Sequence, residues 1–185
     1  MKLKNLFSLL IIAIISIQFF SCDKIKDAAK INIALSSQDV EFTIPIISAT
    51  GATTLAAQDV YLNVDSIIKT SNTKLSAKNI RSVTIKSFDI TMIDGDATNN
   101  FSALESFKID FKSNVNTNLN TLAEITNNPD IDAQTLSVPV NSSINLKDYF
   151  NATTFTYELS GNARKTTSHP IQCKATITYN LEAGL

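Results

Sequence analysis

Apolar and polar residues alternate through most of the chain beyond residue 30. Ile31, Ile33 and Leu35 share one side, and Val40, Phe42, Ile44 and Ile46 resume the pattern after a change of phase. Period two is the mark of a strand with one buried face. Val60, Leu62 and Val64 follow, with Tyr61 on the opposite side; then come Val83 and Ile85, and, after a second phase change, Phe88, Ile90 and Met92. That second shift predicts a β-bulge near Lys86. Phe107, Ile109 and Phe111 form a further strand pattern, as do Leu136 to Val140, Phe155 to Leu159 and Ile171 to Tyr179, giving eight or nine strands in all.

Helical patterns are short. Asp65 to Lys69 and Asn145 to Phe150 each open with a residue suited to an N-cap, and Leu119 to Ile125 has the spacing of a helical turn. Such pieces cannot cover both faces of a parallel sheet, so the pattern predicts an all-β fold, an antiparallel β-sandwich of immunoglobulin-like type with short helical turns. Pro45 and Pro139 fall inside strand patterns and mark edges or bulges, since Pro donates nothing to a ladder. No repeat or Pro/Gly/Ser-rich linker interrupts residues 30–185, which read as one domain.

The N-terminus has a different grammar. Lys2 and Lys4 precede an apolar run from Leu6 to Phe20, broken only by Ser8, Ser16 and Gln18, and the run stops at Ser21-Cys22-Asp23-Lys24. It falls short of the roughly 20 apolar residues a spanning helix needs. A basic start followed by a short apolar run predicts a signal peptide over residues 1–21. Residues 22–29, with Asp23, Lys24, Lys26 and Asp27, read as a charged tether.

The segment Phe19-Phe20-Ser21-Cys22 resembles the lipobox of bacterial lipoproteins of the Bacteroidota type, with Ser21 as the small residue before the cysteine and Phe19 where Leu is usual. The resemblance implies that Cys22 becomes the first mature residue and carries a diacylglyceryl group and an amide-linked fatty chain of the palmitate class. It also implies an outer-membrane address, on the periplasmic or the cell-surface face. The competing reading makes Cys22 an ordinary thiol, free to pair with Cys173. Under lipidation Cys173 has no partner in the chain. It lies in phase with Ile171, Ala175 and Ile177, so it is expected to point into the core as a small hydrophobe.

Composition narrows the chemistry. Of 185 residues 16 are Lys or Arg and 17 are Asp or Glu, with the signs interspersed, so nucleic-acid binding is disfavoured. Losing Lys2 and Lys4 with the signal takes the net charge from −1 to −3. Asp94 to Glu105 has the spacing of a twelve-residue EF-hand calcium loop, with Asp94, Asp96, Thr98 and Ser102 as oxygen ligands and Glu105 as the closing carboxylate. Asn99 stands where that loop wants Gly, and the competing reading is a polar connection opened by an Asp-Gly turn.

Catalytic parts are few. His169 is the one histidine, and no Gly-x-Ser-x-Gly elbow accompanies it. Carboxylate pairs such as Asp89 with Glu105 or Asp110 with Glu158 need only proximity, which the sequence does not specify. With no Trp, the aromatic platforms open to a glycan reduce to Tyr61 and Tyr149. The reading these points favour is a non-enzymatic, membrane-anchored lipoprotein that works as a structural or interaction module of the cell envelope. Its lipid would hold the membrane and its Thr/Asn/Ser-rich loops, Ala49–Ala57, Asp94–Asn100, Asn114–Asp132 and Gly161–Ser168, would hold an envelope protein. The alternative is a glycan- or ligand-binding surface lipoprotein; a hydrolase is the less favoured third. No cofactor is expected beyond the calcium the Asp94 loop allows.

Overall fold

The computed structural model describes residues 30–184. The predicted signal peptide, the predicted tether and Cys22 lie outside them. Ile31 to Ile44 is one strand and not two, because the phase change after Leu35 is a bulge: Leu35 pairs with Tyr179 and Gln38 with Ile177, so one residue is extra. Strand β1 therefore runs unbroken over Lys30–Ile44, followed by β2 over Gly51–Tyr61. The predicted bulge near Lys86 lies in β3 (Ile80–Met92), between Ile85 and Ser87. Strands β4 (Leu104–Ser113), β5 (Asn120–Ile125), β6 (Thr135–Ser137), β7 (Thr154–Ala163) and β8 (Ile171–Gly184) complete the described set.

Every pairing is antiparallel, in two four-stranded sheets of order β1-β8-β3-β6 and β2-β7-β4-β5. An antiparallel β-sandwich is what the periodicity predicted. Its connectivity is a double Greek key, the jelly roll, and not the immunoglobulin-like order. Alternation says which side of a strand is buried and nothing about its neighbours, so the first and last strands could be seen to pair only in three dimensions.

The helical readings are partly corrected. Helix α1 spans Val64–Ser71, capped by Asn63, whose side chain accepts from Ser66 N at 2.9 Å, and not by Asp65. Asp65 instead accepts from Ala77 N at 3.0 Å. Asn145 holds a single 3-10 turn at Lys147–Tyr149. Leu119 to Ile125 is no turn of helix: residues 120–125 form β5, with Leu122 and Ala123 buried.

Inward-facing residues of the two sheets form one core. Ile171, Cys173, Ala175, Ile177, Tyr179, Leu181 and Ala183 line β8, opposite Phe107, Ile109 and Phe111 of β4 and Phe155, Tyr157 and Leu159 of β7. Phe111 is the hub, 5.3–6.2 Å from the rings of Tyr149, Phe150, Phe155 and Tyr157. The Tyr157 and Tyr179 hydroxyls meet at 2.9 Å between the sheets, so neither buried oxygen lacks a partner. Burial pushes the Tyr157 phenol up to about 12.

Both prolines sit at sheet margins. Pro45 directly follows β1. Around Pro139 the chain changes sheets, as Val138 N donates to Phe88 O (2.9 Å) in one sheet while Pro139 O accepts from Glu124 N (3.0 Å) in the other. That crossing shields the outer edge of β5.

The register sorts the connections into two ends. Lys30 pairs with Gly184 and Ile80 with Ala183, so the N-terminus of β1, the β2–β3 connection and the end of β8 share one end, here the tether end. At the far end, Ile44 pairs with Ile171 and Gly51 with Ala163. The 15 residues of β1 set the two ends about 50 Å apart at roughly 3.3 Å per residue.

Candidate functional site

Four connections meet at the far end: residues 45–50, 93–103, 126–134 and 164–170. A buried asparagine set stitches them together. Asn99 accepts from Ser168 N at 2.8 Å, and its amide donates to Ser168 Oγ at 3.0 Å. The Asn128 amide donates to Phe101 O (2.7 Å) and Leu104 O (2.9 Å), while Asn128 O accepts from Arg164 Nη2 at 2.8 Å. Thr167 ties down the first connection, with Ile47 N donating to its Oγ1 at 2.9 Å and its own N donating to Ile47 O at 3.0 Å. Loops held this way present a fixed surface, because their backbone groups are already partnered.

Asp96 is the pivot of the β3–β4 connection. Its Oδ1 accepts from Thr98 N and Asn99 N, each at 2.7 Å, and its Oδ2 faces His169 Nε2 at 3.2 Å. The Asn99 backbone N–H, its side-chain amide, the Thr98 N–H and His169 hold the Asp96 carboxyl far below the usual carboxylate range. His169 is shifted upward by the Pro170 carbonyl and by Asp96. At the rim, Lys165 Nζ meets Asp130 Oδ1 at 2.5 Å and holds the Asp130 carboxyl low. Three large apolar side chains stand exposed among these polar groups: Ile46, Ile93 and Ile131.

The calcium ligands do not converge. Asp94 Oδ1 accepts from Gln172 N at 2.6 Å, on the flank of β8. Asp96 turns inward on its own loop, Ser102 Oγ accepts from Lys165 Nζ at 3.2 Å, and Glu105 is exposed at the start of β4. Among the described residues no three His, Cys, Asp or Glu side chains lie close enough to hold a metal ion. Nor does Asn99 adopt the left-handed backbone that an EF-hand turn demands there, since none of the described non-glycine residues has a positive φ.

The same cluster juxtaposes Ser168, His169 and Asp96 without forming a nucleophilic relay. The second ring nitrogen of His169 faces Pro170 O at 2.8 Å, and the Ser168 hydroxyl is engaged with Asn99. A relay needs the base to reach the hydroxyl. Of the carboxylate pairs, Asp89 and Glu105 lie on different sheets, whereas Asp110 and Glu158 stand directly opposite each other on β4 and β7. Each is neutralised separately, Asp110 by Lys108 at 2.7 Å and Glu158 by Lys112 at 2.5 Å.

That face also carries a shallow depression of about 430 Å3 lined by Thr53, Ser106, Lys108, Glu124, Ser160 and Asn162. Of the two tyrosines kept as platforms, Tyr61 is 71% exposed but Tyr149 is buried against Phe111, its hydroxyl donating to Asn118 O at 2.9 Å. The loop readings shift as well. Residues 51–57 and 161–163 are strand, and 114–132 divides into a tether-end turn, β5 and a far-end connection. The contributions of Asn99 and Asn128 escaped sequence reading. Asp96 three residues before Asn99 is the one local signal, the spacing of an Asx-type turn.

No protein-family model matches the chain, and no curated protein matches it in sequence. Among solved structures it is similar to the infectious bursal disease virus VP2 subviral particle, at 9% identity and TM-score 0.36, over 84% of this chain and 32% of that one. It is similar also to the decameric BFDV capsid protein (10% identity, TM-score 0.37, 83% and 99% covered) and to the cyanophage Pam1 capsid (12%, 0.35, 82% and 86%). The chain spans about a third of the infectious bursal disease virus chains it matches.

Proposed function

We propose that the protein is a lipid-anchored envelope lipoprotein of the outer membrane that captures a protein partner through the far end of its sandwich and turns over no substrate. The observation that carries the reading is positional. Cys22, after the apolar run, lies eight residues before Lys30, where β1 begins, so the chain enters the domain at the end opposite the stitched loops. Those loops hold Ile46, Ile93 and Ile131 in water, at a cost recovered when a partner covers them, about 1.5–3 kcal/mol for each side chain fully buried. The alternative, a glycan ligand, finds support in the hydroxyl-lined depression on the β2-β7-β4-β5 face.

Two measurements test it. Cys22→Ala should move the protein from the membrane to the soluble fraction; retention through high-salt washing with the signal removed would refute the anchor. Photo-crosslinkers at Ile93 and Ile131 should trap one partner in intact cells, and crosslinks confined to the flat faces would refute the far-end site.

A further inference from the structure

Exposed large apolar side chains occur at both ends of the sandwich and, among the described residues, nowhere along its flanks. Ile46, Ile93 and Ile131 belong to the far end; Tyr61, Val115 and Leu119 belong to the tether end. The second trio is held together by the β2-β7-β4 register. Tyr61 pairs with Thr154, Asn114 N donates to Thr154 O at 3.0 Å, and Val115 and Leu119 lie in the short turn that follows. Their exposures, 71%, 57% and 50%, are high for side chains of this size.

Charge separates the ends. The tether end carries Lys69, Lys74, Lys78 and Lys147, all exposed, against Asp65, which Lys69 already neutralises at 2.6 Å, and Asp148. Lys74 and Lys147 form no ion pair among the described residues. The far end carries Asp94, Asp96, Asp130 and Asp132 against Arg164 and Lys165, which pair with Asp130, and His169, which pairs with Asp96, and so keeps an acidic excess. A surface of phosphate-bearing headgroups attracts the first end and repels the second.

Resting on the lipid-anchor reading, we infer that the tether end is a membrane-docking face, with Tyr61, Val115 and Leu119 entering the headgroup layer and the lysines around α1 against its phosphates. Chain length permits nothing distant. The eight steps from Cys22 to Lys30 reach at most about 29 Å, so the end that bears Lys30 is held beside the lipid that Cys22 carries. Amphipathic Tyr beside Lys is the composition that settles at a bilayer interface. Docking fixes the domain upright and projects the acidic loop end away from the membrane, so anchor and partner site do not compete for space.

The chain has no Trp, which makes the test direct. Full-length Tyr61→Trp, Leu119→Trp and Ile93→Trp proteins are made in a lipoprotein-processing host and reconstituted in vesicles of phosphatidylethanolamine and phosphatidylglycerol with brominated acyl chains. Intact mass reports acylation of Cys22, and circular dichroism reports the fold. The expected result is at least twofold quenching at positions 61 and 119 and none at 93. Replacing Lys74, Lys78 and Lys147 by Glu in the Tyr61→Trp protein should reduce the quenching, each lysine being worth about fivefold in surface partition. Acylated, folded protein that shows no quenching at 61 and 119, or more at 93, overturns the docking face and leaves the anchor standing. Absence of the acyl mass overturns both.

Discussion

His169 places its Nε2 3.2 Å from Asp96 Oδ2 and its Nδ1 2.8 Å from the Pro170 carbonyl oxygen, so both ring nitrogens face acceptors. Only the imidazolium donates from both, and the geometry therefore favours the charged ring. The pair joins the β3–β4 and β7–β8 connections beside the Asn99–Ser168 bonds.

A pH dependence follows from that pair. The His169 pKa is raised above its ordinary 6.5, so its contribution is complete below that value and is lost as pH rises through the higher folded-state value. Asp96 is lowered, so its contribution is present above its ordinary 3.8 and declines as pH falls toward the folded-state value. Wild type should melt above His169→Gln between about pH 4 and 6.5, with the gap closing on the alkaline side. Parallel melting curves from pH 5 to pH 9 would show that the pair forms no stabilising contact. Both side chains are substantially exposed, so added salt should shrink the gap.

Gly161 is required by close approach, not by unusual dihedrals. A Cβ there would lie 2.1 Å from Ser106 O and 3.4 Å from Phe107 Cα, where β4 and β7 come together beside the bulge at Leu104–Ser106. Because the obstacle is backbone, Gly161→Ala must pry the strands apart. The expected loss is about 2 kcal/mol, or roughly 6 °C in Tm for a chain of this size. An unchanged Tm would mean that the central strands of this sheet yield without cost.

How far the fold could be read from sequence depends on what alternation encodes. The phase changes after Leu35 and around Lys86 are both real bulges, and Cys173 is inward as its register requires. Leu119, Leu122 and Ile125 misled because a spacing of three mimics a helix, whereas β5 is set by its pairing with β4, Phe107 opposite Ile125 and Phe111 opposite Asn120. Tyr149 looked free because no strand pattern claimed it, yet it packs on Phe111 from a single helical turn. The far-end site was the least legible part. Asn99 meets Ser168 from 69 residues away, and Asn128 meets Arg164 across 36, contacts that leave no periodic trace.

Cys173 should be chemically silent in the native protein. Burial, with a smaller effect from Asp94, pushes its thiol up to about 12. In Cys22→Ala protein, where it is the one remaining thiol, alkylation by iodoacetamide at pH 8 should run on the order of 10³-fold slower than for the urea-unfolded chain. Comparable rates in the two states would place Cys173 at a surface.

Calcium should leave the fold unmoved, because the two aspartates expected to bind it are committed to the chain. Asp94 caps Gln172 N and Asp96 caps Thr98 N and Asn99 N. Melting curves with excess chelator and with millimolar calcium should superimpose. A calcium-dependent rise in Tm that disappears in Asp96→Asn would establish that the loop rearranges into a site.

Asn128 is where the fold and the proposed partner site meet. It is 3% exposed, and its amide is the donor for two buried carbonyls, Phe101 O and Leu104 O, at the corner where the β3–β4 connection becomes β4. Its backbone carbonyl accepts from Arg164, which also donates to Ser102 O at 3.3 Å, so the Arg164 side chain links the 93–103, 126–134 and 164–170 connections while the Asn128 side chain ties 126–134 to the start of β4. Asn128→Ala removes both bonds; Leu104 N still donates to Phe101 O, so the expected loss is about 1–3 kcal/mol in all. Asn128→Asp should do no better, since a carboxylate brings no donor to those oxygens. The two sheets pair elsewhere, so the loss should be regional: hydrogen exchange should quicken in 99–104 and 126–134 while β1, β3 and β8 stay protected. Crosslinking from Ile93 and Ile131 should fall in parallel, because the apolar side chains would no longer be held in one arrangement. Uniformly faster exchange would mark Asn128 as a global stability residue, and unchanged exchange with full crosslinking would show that the far-end loops keep their shape without it.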